Sequence, residues 1–209
     1  MTTKLIGTDN MTAAAEIILA GGLVAVPTET VYGLAANGLD HDAVMKIYEV
    51  KGRPETKPIN LLVSGMADVE SFCTDIPAAA FRLAEKFWPG PLTMILNRRD
   101  IVPNIVTAGG KTLGVRCPDN KKTLDLIKLT GVPLAAPSAN PSDMPSPKSA
   151  DTVAEYFDGK IDGIIDDGVC RLGIESTILD LTVSPPRILR LGGLSKEAIE
   201  DVLGVKVLG

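Results

Sequence analysis

Lys51, Arg53 and Lys57 fall within ten residues of one another, in KGRPETKPIN (51–60). An arginine fork beside point-charge lysines is the usual equipment for holding phosphate oxygens. Lys51 and Arg53 also lie just past a helical pattern, where cations complement the C-terminal dipole without any ligand. Arg116, in KTLGVRCPDN (111–120), sits between Val115 and Cys117 in an apolar run. A buried arginine needs an anionic partner. An internal Asp or Glu and a ligand carboxylate both meet that need. Small polar residues recur where apolar runs end: Thr28, Thr30 and Tyr32 in PTETVYGLAA, Ser138 and Asn140 in PLAAPSANPS, Ser176 and Thr177 in GIESTILDL. Each has a plain reading as a turn or cap. Arg190 lies in RILRLGG (187–193). Together, cations at 51, 53, 57, 116 and 190 with hydroxyl and amide donors suit a polyanion plus a small zwitterion.

Composition removes much other chemistry. His41 is the only histidine, so a Ser-His-Asp triad or His-rich zinc site has almost nothing to be built from. It reads as a solvated residue at a helix start. Ser138 lacks a base to activate it, and Cys117 reads as a packed thiol for the same reason. Cys73, Cys117 and Cys170 are too widely spaced for a CxxC site or a disulfide framework. No GxxxxGK[ST] run is present. Aromatic residues make up 4% of the chain, too few for a base-stacking platform. The net charge of −5 hides an asymmetry: residues 51–122 hold 11 Lys/Arg against 7 Asp/Glu. A cationic middle in an acidic chain points to a focused anion site. No apolar run approaches the roughly 18 residues that span a bilayer. The start lacks a signal peptide's apolar stretch, so the expected compartment is the cytoplasm.

These residues need a scaffold, and its pattern alternates. Helices are predicted at 11–20, 40–50 with Asp40 as N-cap, 77–87, 120–130, 149–157 and 195–203. Strands are predicted at 23–28, 59–63, 92–96, 113–117, 133–137, 163–167, 176–181 and 187–191. That order implies an α/β fold with a mixed sheet in one domain over 1–209. The polar, proline-rich stretch at 140–150 reads as a mobile loop.

Seven motifs in order, PTETVYGL, KGRPETKPI, FWPGPLT, GVRCP, APSAN, IESTILDL and ILRLGG, resemble the YrdC family, the threonylcarbamoyl-AMP synthases. The resemblance implies a single YrdC-like α/β domain, with a twisted parallel/antiparallel sheet, flanking helices and a cationic cleft. It implies a nucleotidyltransferase that joins L-threonine, bicarbonate or CO2 and ATP into threonylcarbamoyl-AMP and pyrophosphate. A downstream threonylcarbamoyl-transferase complex would then modify the adenosine next to the anticodon of certain tRNAs, with a weak tRNA contact and no membrane partner. By motif, Lys51, Arg53, Ser138 and Asn140 would position reactants and stabilise charge. Lys57, Thr112, Ser146 and Arg190 would join them around ATP. Thr30, Tyr32, Leu62, Arg116, Ala136 and Ser176 would surround threonine, although Leu62 stands where some relatives carry a polar residue. Mg2+ would ride on the ATP phosphates, with no protein metal site, and the 140–150 loop would close as a lid. Two alternatives share these features: an RNA-binding module using the same cleft, and a carbamoyl-transfer domain like that of the larger hydrogenase-maturation proteins.

Overall fold

The computed structural model describes residues 2–209. One mixed sheet organises them. Its strands in chain order are β1 (Lys4–Gly7), β2 (Val24–Val26), β3 (Gly33–Asn37), β4 (Leu61–Leu62), β5 (Cys73–Thr74), β6 (Leu92–Arg98), β7 (Thr112–Arg116), β8 (Leu134–Ala135), β9 (Gly163–Asp166), β10 (Thr177–Asp180) and β11 (Arg187–Arg190). Across the sheet they run β1-β9-β2-β3-β8-β4-β7-β6-β10-β11, and β5 pairs with β6. The β1/β9, β9/β2, β4/β7 and β6/β10 pairs are parallel, and the rest are antiparallel.

Seven helices flank it: α1 (Met11–Leu19), α2 (His41–Lys51), α3 (Met66–Phe72), α4 (Ala78–Phe87), α5 (Lys121–Thr130), α6 (Ala150–Phe157) and α7 (Lys196–Leu203). Their ends follow from local chemistry. The Asp40 carboxylate accepts from the Asp42 and Ala43 amides at the start of α2, satisfying donors the helix cannot. Gly52 closes α2 at φ 60°, in the left-handed region that glycine occupies at least cost. Asn120, Ser149 and Ser195 cap α5, α6 and α7 in the same manner as Asp40.

Strand side chains alternate between faces, and this chain uses the alternation to build two cores. Ala25, Leu34, Ala36, Leu61, Leu113, Val115, Met94 and Leu96 face one core, shared with residues of α2, α4, α6 and α7. Val24, Val26, Ala35, Leu62 and Leu134 face a smaller second core, covered by Met11, Ala14, Ala15 and Ile18 of α1 and by Leu126 and Ile127 of α5. These two helices pack together over one half of that second face. The half formed by β6, β7, β10 and β11 carries no such cover within either core.

Four elements escaped the sequence pattern: β1, β3, α3 and β5. The β3 run GLAAN has no β-branched residue, the usual local mark of a strand. Every element that was predicted is present, with ends shifted by a residue or two, as fraying helix ends allow.

Close packing at the chain's later glycines is testable. A Cβ at Gly192 would lie 2.1 Å from the Glu175 carbonyl oxygen and 2.6 Å from the Ser176 carbonyl carbon. Backbone cannot yield as a side-chain tip does. Gly192→Ala should therefore cost about 1–3 kcal/mol, the usual range for overpacking. Urea unfolding reads this directly, and a midpoint equal to that of the unsubstituted chain would contradict the packing.

Candidate functional site

The uncovered half-face is the floor of a cavity of about 500 Å3. Leu62, Thr93, Ile95, Arg116 and Ile178 rise into it from β4, β6, β7 and β10. Its walls come from loops: Thr28 and Thr30–Gly33 after β2, Arg53 and Thr56–Pro58 after α2, Ala136–Ser138 after β8, and Glu175 and Ser176 ahead of β10. Leu189 and Arg190 of β11 complete it. Sheet order brings together motifs that lie more than a hundred residues apart.

The KGRPETKPIN loop is held by its own carbonyls. Arg53 Nε donates to Lys57 O at 3.1 Å and Nη2 to Pro58 O at 2.8 Å. The Tyr48 hydroxyl lies 3.0 Å from both Lys57 O and Ile105 O, which share its one proton. Lys51 is 3% exposed and does not line the cavity. Its ammonium instead donates to the Ser138 carbonyl at 2.5 Å and to the Asn140 carbonyl. It thereby clamps the APSAN turn to the end of α2. Burial, helped by the Arg53 charge and opposed by Glu175, pushes the Lys51 amine down to about 7.

Both arginines on the floor and at the β11 edge come already paired. Arg116 Nη2 lies 2.7 Å from Glu29 Oε2, with the two side chains 8% and 1% exposed. Arg116 Nε donates to Gly90 O at 3.2 Å. Arg190 Nη1 lies 2.7 Å from Glu175 Oε2, and its Nε and Nη2 donate to Ser176 O. Arg53 and Lys57 make no ion pair among the described residues. The sequence left Arg116 with two anionic partners to choose from, and Glu29 supplies the internal one. Nη1 has no hydrogen-bond partner among the described residues. One cost is visible here: Glu29 Oε1 is sealed from solvent and also lacks a partner. An orphaned buried acceptor destabilises by about 1–3 kcal/mol.

The hydroxyls form short local networks. Thr28 and Thr30 share a hydrogen bond of 2.8 Å, as do Thr93 and Ser176. Arg190 Nη2 also reaches Ser176 Oγ at 3.2 Å. The Tyr32 hydroxyl donates to Gly168 O and accepts from the Asp167 amide, neither of which lines the cavity. Burial pushes that phenol up to about 12. Tyr32 therefore presents no hydroxyl to the cavity, because the 167–168 turn takes it.

Of the residues singled out in the sequence, Thr30, Tyr32, Arg53, Lys57, Leu62, Arg116, Ala136, Ser138, Ser176 and Arg190 line the cavity. Lys51, Thr112, Asn140 and Ser146 do not. Lys51 and Asn140 lie behind the wall as struts: the Asn140 amide donates to the Pro141 and Met144 carbonyls. Ser146 donates to Glu175 Oε1 at 2.9 Å, one residue behind the surface. Thr112 is exposed at the far end of β7, four residues or about 13 Å from Arg116 along the strand. Thr93, Glu175 and Leu189 line the cavity unforeseen, and Glu29 supports it from behind. The two glutamates stood inside motifs read for their hydroxyls. A buried arginine's need for a carboxylate was the signal that could have found them.

The 140–150 segment, read in the sequence as a mobile loop, is hydrogen-bonded to its neighbours at several points. Ser142 N bonds Lys51 O at 2.8 Å, Tyr32 N bonds Pro147 O at 2.9 Å and Cys170 N bonds Lys148 O at 2.8 Å. The Tyr156 hydroxyl reaches Pro145 O at 3.3 Å.

Comparison with known proteins fits this geometry. The family model Sua5_yciO_yrdC, described as "Telomere recombination", matches residues 16–192. A threonylcarbamoyl-AMP synthase of Pyrococcus abyssi is 51% identical over 191 residues, covering 91% of this chain and 56% of the relative. Another from Bacillus subtilis is 46% identical over 192 residues, covering 91% and 56%. This chain thus spans a little over half the length of those relatives. The structure of P. abyssi Sua5 complexed with L-threonine superposes with a TM-score of 0.95 at 46% identity, covering 99% of this chain and 62% of that one. With the fold, the ordered motifs and these matches in agreement, the chain belongs to the Sua5/YciO/YrdC family.

Proposed function

We propose that this chain forms threonylcarbamoyl-AMP and pyrophosphate from L-threonine, bicarbonate or CO2, and ATP. The observation that carries the reading is one cavity lined both by a pre-paired Arg116 and by a loop bearing Arg53 and Lys57. Likeness to a Sua5 structure holding L-threonine supports it.

In this reading the threonine carboxylate takes the free end of Arg116, and the amine is held toward the 51–57 loop. The amine nitrogen bonds to the carbon of CO2 and releases a proton, giving a carbamate. A carbamate oxygen then bonds to the α-phosphorus of ATP as the bond to the β-phosphate bridge breaks and pyrophosphate leaves. Neither step needs a protein nucleophile. Holding reactants in attack geometry is worth up to roughly 7–11 kcal/mol in well-oriented cases. Arg53 and Lys57, free of ion pairs, balance the charge that builds on the phosphate oxygens. Ser138 sits at the wall facing the nucleotide, and Lys51 and Asn140 act by fixing its turn.

Mg2+ would accompany the phosphates. Among the described residues no group of three metal-ligating side chains exists, and Glu175 is the only carboxylate on the cavity wall. That donor set suits an ion ligated chiefly by phosphate and water. No helix among the described residues is long and apolar enough to cross a membrane. The same reading places the chain in the cytoplasm, handing its product to a transferase that modifies tRNA.

Mass spectrometry should find threonylcarbamoyl-AMP and pyrophosphate when ATP, bicarbonate and L-threonine are all supplied. Pyrophosphate release indifferent to threonine would overturn the reading. Arg53→Ala removes both a charge and the loop's internal bonds, and should lower the rate by about 10²–10³. Undiminished turnover in that variant would remove the 51–57 loop from the nucleotide site.

Lys51 gives a pH signature. Its amine falls from 10.5 to about 7 on folding. Between those values the unfolded chain holds a proton that the folded chain has shed. Stability must then rise with pH across that window, and flatten below and above it. Urea unfolding of the unsubstituted chain and of Lys51→Met at pH 7, 8 and 9 should diverge, with only the former gaining. Parallel curves would show that Lys51 stays charged in the fold.

A further inference from the structure

Glu29 stands apart from every role assigned above. It lines no part of the main cavity, yet it is 3% exposed and bonded on three sides. Oε2 accepts from Arg116 Nη2 at 2.7 Å and from the Asp119 amide at 3.1 Å. Its carbonyl accepts from Leu172 N at 2.8 Å. Oε1 receives nothing and is sealed. Here one oxygen does all the work, and it does it at a fixed point on the guanidinium.

A guanidinium carries five N–H donors in a planar fork. Gly90 O takes the donor on Nε and Glu29 takes one on Nη2. Neither acceptor residue lines the main cavity, whereas Arg116 does. The two anchors fix the plane of the fork and leave Nη1 unbonded. Unlike Glu29 Oε1, Nη1 is not among the sealed atoms without partners.

We propose that Glu29 is a positioning residue for substrate carboxylate binding: through Oε2 it fixes the Arg116 fork so that Nη1 remains for a ligand carboxylate. The inference rests on the reading of Arg116 as the seat of the threonine carboxylate. Glu29 touches no substrate and acts through Arg116 alone. Its effect therefore falls on threonine and spares the nucleotide, whose unpaired cations Arg53 and Lys57 lie on a separate loop.

The test measures KM for L-threonine, KM for ATP and kcat, by pyrophosphate release, in Glu29→Gln, Glu29→Asp, Arg116→Gln and the Glu29→Gln/Arg116→Gln double variant. Glu29→Gln keeps the reach and loses the charge. Glu29→Asp keeps the charge but is one methylene too short to span Arg116 and the Asp119 amide. Both should raise the threonine KM about 10- to 100-fold, as a misplacement near 1 Å does, while the ATP KM stays within about twofold. The double variant should be no worse than Arg116→Gln. An unchanged threonine KM in both Glu29 variants, with a raised one in Arg116→Gln, overturns the role of Glu29 and leaves the carboxylate seat standing. Equal rises in both KM values also overturn it, since a merely structural loss spares neither substrate. An unchanged threonine KM in Arg116→Gln sinks the seat itself. If the glutamine variant does not fold, the aspartate variant decides.

Discussion

A sheet has two faces, and this molecule has helices enough on one of them to leave half exposed. Everything at the site follows from that constraint. Alternation sends Leu113, Val115, Met94 and Leu96 into the larger core, so Arg116, Thr93 and Ile95, the residues of opposite parity, must face the other way. There α1 and α5 cover β2, β3 and β8 and stop. A single-residue slip in β7 would drive Arg116 into the larger core and put Val115 at the site. The charge in an apolar strand is thus a mark of register as much as of function.

The arginines meet this environment with compensation already in place. Arg116–Glu29 is buried, and Arg190–Glu175 is about two-fifths exposed. The Coulomb attraction within a buried pair offsets a desolvation cost it seldom exceeds by much, so neither pair is a strong argument for stability. Their value lies in geometry, because a paired fork does not swing. By contrast Arg53 and Lys57 keep their charge unbalanced by any carboxylate within salt-bridge distance. Of the four cations that line the cavity, Arg116 and Arg190 are paired with a carboxylate, and Arg53 and Lys57 make no ion pair among the described residues.

Much of this was legible in the sequence and some was not. Asp40, Asn120 and Ser195 announced their helices because caps act through adjacent amides. The YrdC likeness carried the fold as a whole. The burial of Arg116 could be inferred from Val115 and Cys117 on either side. Its partner could not, since Glu29 lies 87 positions away in a motif crowded with hydroxyls. Tyr32 was misleading for a related reason: a phenol adds a polar tip to a long ring, and only the fold decides where that tip lands. Proline and serine in 140–150 suggested mobility, and nothing local in that run announced the hydrogen bonds that reach it from distant residues. The Tyr32 and Cys170 amides donate to the Pro147 and Lys148 carbonyls, and the Ser142 amide donates to Lys51 O.

That tied segment has a kinetic meaning. A segment already bonded to the lining residue Tyr32 before a ligand arrives needs less ordering in the encounter. More of the contact energy inside the cavity is then left to set how long a ligand stays.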